Sequence, residues 1–177
     1  ISLAGYSIGQ RLEFLLVPIS FGIGVASVPM VGMAIGAGQV ARARRVAWTA
    51  GLVSMLNLAL IGLLVAINPD LWARLFTSDE QVLVVARQYL QIVGPAFPFF
   101  GLGLTLYFAS QGSGKMLGPV TAALVRPLLA AGVGGWIAWH GLGAPAYFGL
   151  VAGSLVVYGL ATALAVKLTY WGLPGRA

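Results

Sequence analysis

Residues 21–38, with the sequence FGIGVASVPMVGMAIGAG, are apolar throughout and rich in Gly and Ala. A soluble core would use more Leu and Ile here. In a bilayer, small residues let helices approach closely, because lipid supplies no hydrophobic drive for helix association. The stretch therefore predicts a transmembrane helix with a kink at Pro29. Its predicted helix-packing motif consists of the glycines Gly22, Gly24, Gly32, Gly36 and Gly38.

The composition of the whole chain indicates a membrane protein. Of 177 residues, 59% are apolar and 8% are charged, and the mean hydropathy is +0.94, whereas soluble domains carry roughly 25% charged residues. The net charge of +6 comes from basic residues between apolar runs, where they set membrane topology. We therefore expect no nucleic-acid partner.

Motifs for catalysis are missing from the sequence. It has no Cys, which excludes disulfides, thiolate metal sites and Cys nucleophiles. It also has no HExxH motif, no clustered acids and no phosphate-binding loop, and no Ser-His-Asp pattern. We expect a protein that is not an enzyme and that has no metal and no organic cofactor.

The apolar runs predict an all-α, polytopic bundle with about five spans. The third span contains Pro95 and Pro98, at which we expect a kink. The chain begins with Ile1, without a signal peptide, so we expect it to be a fragment of a longer membrane protein. The predicted spans are residues 7–35, 43–67, 87–110, 117–140 and 146–171.

The basic residues predict the orientation of the bundle. With alternating spans, one side of the membrane receives more Lys and Arg than the other, and that side is cytoplasmic by the positive-inside rule. The chain is thus expected to start outside and to end in the cytoplasm. The richer side holds Arg42, Arg44, Arg45, Lys115, Lys167 and Arg176, and the poorer side holds Arg11, Arg74 and Arg87.

Residues 6–45 resemble the second helix and the following loop of one half of a multidrug and toxic compound extrusion (MATE) transporter. The resemblance rests on two spaced glycines, then Val31-Gly32 and Gly36-Ala37-Gly38, then a basic Arg-Ala loop. Residues 87–115 and 118–127 resemble the fourth and fifth helices of a half. The motif at residues 11–13 and the short tail are more similar to the C-terminal half. The resemblance thus implies one partial C-terminal lobe, helices eight to twelve, with the N-terminal lobe and one helix missing.

The resemblance implies an alternating-access antiporter in which entry of H⁺ or Na⁺ drives export of organic, often cationic, compounds. It implies a bacterial inner (plasma) membrane, with lipid, the missing N-terminal lobe and a small organic substrate as partners. The helix that corresponds to the tenth of the family, residues 79–110, has no carboxylate in its membrane part. The coupling residue would then be Glu13 or lie in the missing lobe. A related flippase for lipid-linked sugars and a non-transporting membrane scaffold are the alternatives.

Glu13 is the one carboxylate within a predicted span, and Arg126 lies deeper in its own span. Glu13 is either a coupling carboxylate facing a cavity or an interfacial group that is hydrated or paired with an Arg. Arg126 has either a functional role, as the charge partner of Glu13 or of a carboxylate in the missing lobe or as a gate residue, or a structural one. In the structural role it caps carbonyls freed by Pro127 or extends its charge toward the cytoplasm. The polar residues Asn57, Gln91 and Tyr107 either line a polar pathway or form interhelical hydrogen bonds.

Overall fold

A computed structural model describes residues 2–172. This part of the chain has seven α-helices and no strand. Five helical segments are long and apolar enough to cross a membrane, so the predicted all-α bundle with five spans is confirmed. The helices are α1 (Ser2–Gly36), α2 (Val40–Ile67), α3 (Asp70–Ala73), α4 (Glu80–Val93), α5 (Phe97–Ser113), α6 (Leu117–Trp139) and α7 (Ala144–Leu168).

The ends of the helices follow local signals in the sequence. α1 ends where Gly38 adopts a left-handed backbone with a φ of 73°, a conformation that glycine adopts without steric cost. α4 begins after Asp79, whose Oδ1 accepts a hydrogen bond from the Gln81 backbone at 2.9 Å. α7 ends at Leu168, so Tyr170 lies beyond the helix, whereas the predicted span extends to residue 171.

The third predicted span is divided into α4 and α5. Between them lies one turn of 3₁₀ helix, Gly94–Ala96, at the position of Pro95, which has no backbone N–H to donate. α1, by contrast, continues as one helix through both Pro18 and Pro29. Proline therefore coincides with a change of helix type in one span and not in the other.

Helix α5 lies at the centre of the bundle, packed against α1, α2 and α7. The turn before α5 approaches α2 so closely that a Cβ atom on Gly94 would lie 2.7 Å from the carbonyl oxygen of Gly62. A hydrogen bond between hydroxyl groups joins α2 to α1, since Ser54 Oγ donates to Ser20 Oγ at 3.0 Å and both residues are fully buried. Close backbone packing and short polar contacts thus hold the centre together.

Helix α6 packs mainly on α7 and leaves most of its surface free. Only three of its 23 residues are buried, namely Pro119, Ala122 and Ile137. α6 stands away from α1, and the space between them is bounded on its third side by α7. This arrangement creates the cleft in which the candidate site lies.

At both ends of the bundle, arginine side chains join neighbouring helices. At one end, Arg44 of α2 donates to the carbonyl oxygens of Thr169 at 2.9 Å and of Val166 and Lys167 at 3.0 Å, capping the C-terminus of α7. This end also carries Arg42 and Arg45, whereas Arg176 lies outside the described residues. At the other end, the short helix α3 is joined to α4 by ion pairs.

Asp70 is the centre of these ion pairs. Its Oδ1 accepts from Arg87 Nε at 2.6 Å, and its Oδ2 accepts from Arg74 Nε at 2.9 Å. The hydrogen bond from Arg87, followed by the one from Arg74, lowers the pKa of Asp70 from 3.8 to about 2. The indole N–H of Trp72 also donates to the Ile8 carbonyl at 2.9 Å, which ties α3 to α1.

Candidate functional site

The fold brings together two charges that are 113 positions apart in the sequence. Arg126 Nη2 of α6 donates to Glu13 Oε1 of α1 at 3.0 Å. At about 1.5 Å per residue, Glu13 lies roughly 16 Å from the start of α1, and Arg126 roughly 14 Å from the start of α6. Both charges thus lie within membrane-spanning segments, where an ionisable group is costly unless it is paired.

A tyrosine from a third helix completes the coordination of the carboxylate. The hydroxyl of Tyr89 in α4 donates to Glu13 Oε2 at 3.2 Å. The Glu13 side chain is 13% exposed and the Arg126 side chain 33% exposed. Each carboxylate oxygen therefore accepts one hydrogen bond, and the more accessible partner is the arginine.

Arg126 holds Glu13 by a single N–H. A guanidinium has five N–H donors, and the strongest carboxylate pairs use two of them in parallel. Among residues 2–172, the Glu13 contact is the one hydrogen bond that Arg126 makes. Its guanidinium carbon also lies 5.7 Å from the ring centroid of Phe100, within the range of a cation–π contact.

The ion pair borders a cavity of about 260 Å³ between α1, α6 and α7. This cavity adjoins a larger one of about 700 Å³, since Tyr6, Ala130, Leu150 and Val151 line both. We call the two cavities together the lateral cleft. Typical sites for small organic ligands measure roughly 300–1,000 Å³ and are mostly apolar with a few polar groups, a description that the lateral cleft meets.

Aromatic rings form one wall of the lateral cleft. Tyr6 stacks on Phe148 with centroids 6.2 Å apart, and Tyr89 meets Tyr6 edge to face at 5.4 Å. Gln10 Nε2 donates to the Tyr6 hydroxyl at 2.6 Å, which fixes that ring. Neither tyrosine was among the candidate residues predicted from the sequence. The signal was present for Tyr6, because Tyr6, Gln10 and Glu13 recur at the spacing of one helix face.

The other predicted polar residues lie elsewhere. Asn57 is exposed on α2, and its Nδ2 donates to the Val53 carbonyl at 2.8 Å. Gln91 is exposed on α4, and Tyr107 is half-buried on α5 with its ring edge to face with Phe108 at 5.7 Å. None of the three lines the lateral cleft.

The glycines of the predicted motif lie in different environments. A Cβ atom on Gly24 would lie 2.9 Å from the ring of Phe108, and one on Gly32 would lie 3.5 Å from the carbonyl oxygen of Gly112. Gly22 and Gly36 face open space within the described part of the chain. The closest backbone approaches involve glycines outside the motif, such as the pair Gly62 and Gly94.

Comparisons with known proteins agree with the resemblance found in the sequence. The family model MatE matches residues 1–137. The probable multidrug resistance protein NorM of Thermotoga maritima is 29% identical over 122 residues, which cover 69% of this chain and 26% of that protein. Multidrug and toxin extrusion protein 2 of Mus musculus is 34% identical over 97 residues, covering 55% of this chain and 17% of the relative. The human protein of that name is 30% identical over 101 residues, covering 56% and 16%.

Each match covers a much smaller share of the relative than of this chain. The chain spans about a quarter or less of the length of these relatives, and no solved structure matches it significantly. The matched family and the five apolar helices identify an integral membrane protein. Because the family match includes well over half of the chain, with both Glu13 and Arg126, the chain belongs to the MatE family.

Proposed function

We propose that this chain is part of a secondary transporter that exports organic, often cationic, drugs or toxic compounds by alternating access. The observation that carries the proposal is the Glu13–Arg126 pair at the lateral cleft. Ionisable groups inside membrane helices usually face a cavity and mark the path of a substrate or ion. The names of the relatives, which describe multidrug resistance and extrusion, support export rather than catalysis.

We assign coupling to Glu13. The sequence has four acidic residues in total, and the other three, Asp70, Asp79 and Glu80, belong to α3 or the start of α4. Glu13 is thus the one acid of this chain deep within a span, next to a cavity from which an ion can reach it. An entering H⁺ or Na⁺ would take the place of one hydrogen-bonding partner of the carboxylate.

The surroundings of the chain follow from the same proposal. Lipid covers the exposed apolar faces, and an N-terminal lobe of the same protein completes the transport path, with a small organic molecule as substrate and no nucleic acid. The end that carries Arg42, Arg44 and Arg45 faces the cytoplasm by the positive-inside rule. The chain then starts outside a bacterial inner membrane and ends inside.

Export is tested by ethidium efflux from a host that lacks its own exporters, with the protein expressed from its native gene. We expect efflux that stops when a protonophore or a Na⁺ ionophore removes the driving gradient. Glu13→Gln should reduce efflux to near background, because the neutral amide cannot take up H⁺ and has no negative charge to attract Na⁺. Glu80→Gln is the matched control, since its carboxylate is exposed at the end of the bundle, and it should retain efflux.

The outcomes separate the proposal from its alternatives. Efflux that persists in Glu13→Gln and still requires the gradient would move the coupling residue out of this chain. Absence of efflux by the wild-type protein, at normal expression, would overturn drug export and favour a flippase for lipid-linked sugars or a scaffold without transport.

A further inference from the structure

We propose that Arg126 is a tethered competitor for Glu13: its guanidinium occupies the carboxylate while the lateral cleft is empty and is displaced by the cationic group of a bound organic ligand. The ligand class is a monovalent organic cation with aromatic rings. The inference rests on the proposed export function and adds a specificity-determining residue to it.

The geometry leaves Arg126 easy to displace. One N–H at 3.0 Å joins it to Glu13, and its side chain is one-third exposed. The cation–π contact of its guanidinium with the ring of Phe100 is made at the same time and does not depend on Glu13. Loss of the Glu13 contact therefore does not leave the arginine without any partner.

The carboxylate, in contrast, stays in place when Arg126 leaves. Glu13 is 13% exposed, and its second oxygen keeps the hydrogen bond from Tyr89. The Tyr89 ring is itself fully buried and packs edge to face on Phe148 at 5.2 Å. Glu13 is thus a fixed acceptor, whereas Arg126 is the replaceable donor.

The charge of the acceptor defines the ligand, because Glu13 presents one negative charge to the cation that it contacts. Among the described residues, Glu13 and Arg126 are the two charged ones that line the lateral cleft, and their pair is neutral. A ligand with one positive charge takes the place of Arg126 at Glu13, while the guanidinium keeps its contact with the ring of Phe100. The rings of Tyr6, Tyr147 and Phe148 line the cleft beside this position and suit the aromatic part of such a ligand.

The inference is tested by the binding of tetraphenylphosphonium to the purified protein, expressed from its native gene, in detergent. Arg126→Gln should bind this cation roughly 1.5- to fivefold more tightly than wild type, the range that corresponds to the loss of one partly exposed ion pair. Arg126→Lys, which keeps a tethered positive charge, should stay close to wild type. Lys115→Gln removes an exposed positive charge at a distant loop and should change nothing.

A double-mutant cycle shows whether the gain depends on Glu13. Glu13→Gln should lose most of the binding, and adding Arg126→Gln to it should restore none. Thermal unfolding of each variant checks the fold, and Arg126→Met, which keeps an apolar stem, is the second charge-free variant. Unfolding of both charge-free variants would contradict the proposal, because a group that ligands displace is not one that the fold requires.

Weaker or unchanged binding by folded Arg126→Gln would overturn the inference, as would tighter binding that persists without Glu13. Absence of tetraphenylphosphonium binding by the wild-type protein would overturn it as well. Ethidium efflux distinguishes these failures from failure of the proposed function. Gradient-driven efflux with no effect of Arg126 on binding would leave export standing and remove only the competitor role.

Discussion

Helices α5 and α6 are both apolar and rich in glycine, yet they are packed in opposite ways. Ten of the 17 residues of α5 are buried, and Cβ atoms on Gly101 and Gly103 would lie 3.0 and 2.7 Å from neighbouring side chains. Three of the 23 residues of α6 are buried, and Gly132 and Gly135 face open space within residues 2–172. Similar composition therefore produces a central helix in one case and a peripheral one in the other.

The difference lies in what joins each helix to its neighbours. α5 is held by contact along its length with α1, α2 and α7, where small residues bring backbones together. α6 packs on α7, and its one hydrogen bond to α1 among the described residues is the Glu13–Arg126 pair. Close packing thus surrounds α5, whereas an ion pair beside the lateral cleft joins α6 to α1.

The largest expected effect on stability tests the packing side of this comparison. Gly62→Ala places a Cβ against the carbonyl oxygen of Gly94 in the turn before α5, where backbone cannot move aside. We expect a loss of about 1–3 kcal/mol in unfolding free energy, measured as a lower midpoint of thermal unfolding in detergent. Gly135→Ala on α6 is the matched control and should cost nothing, because alanine favours helix over glycine. Equal losses of unfolding free energy in the two variants would show that α6 is also closely packed and would contradict the difference between α5 and α6.

A smaller effect is expected where a charge, rather than packing, joins two of the helices that surround α5. Arg44→Gln removes hydrogen bonds to three carbonyl oxygens at the end of α7. Because charged donors there also complement the helix dipole, we expect a loss of about 1–2 kcal/mol. Arg45→Gln, at the neighbouring position on α2, should leave the unfolding midpoint unchanged. A larger loss in Arg44→Gln than in Gly62→Ala would make the charge contact, not the packing, the stronger constraint.

The smallest effect is expected at Asp70, whose ion pairs lie at the exposed end of the bundle. Because its pKa is lowered to about 2 from 3.8 by Arg87 and then Arg74, its contribution is fully present above pH 3.8 and is lost as the pH falls toward 2. Asp70→Asn should therefore lower the unfolding midpoint slightly and equally at pH 7 and pH 5, with the difference from wild type shrinking below pH 4. A difference that disappears already between pH 7 and pH 5 would contradict this assignment.

Local chemistry made part of the fold predictable. Apolar runs of sufficient length predicted the five spans, because each helix satisfies its own backbone hydrogen bonds in lipid. Two helix ends also depend on local chemistry, since the Asp79 side chain caps the start of α4 and Gly38 follows α1 with a left-handed backbone. Pro95 and Pro98 predicted a kink in the third span, and a 3₁₀ turn lies at Pro95. Pro29, where a kink is also predicted, lies within the continuous helix α1.

The candidate site was only half predictable. Glu13 and Arg126 were each predicted as candidate residues, because charges are rare in apolar helices. The sequence left open whether the two residues pair with each other. Tyr89 gave no signal, because a tyrosine in an apolar span is usually a packing residue. The near contact of Gly62 and Gly94 was equally hidden, since neither belongs to the glycine motif at residues 21–38.

Hydropathy, segment length and helix-end residues act within single segments, so the chain's order of residues was enough to specify a membrane bundle of five helices related to the MATE transporters. The central place of α5, the peripheral place of α6 and the meeting of Glu13, Tyr89 and Arg126 beside one cleft emerged only from the folded molecule. Those relations depend on the packing of whole helices. Residues 113 positions apart become neighbours through the combined fit of many side chains, and no local pattern encodes that fit.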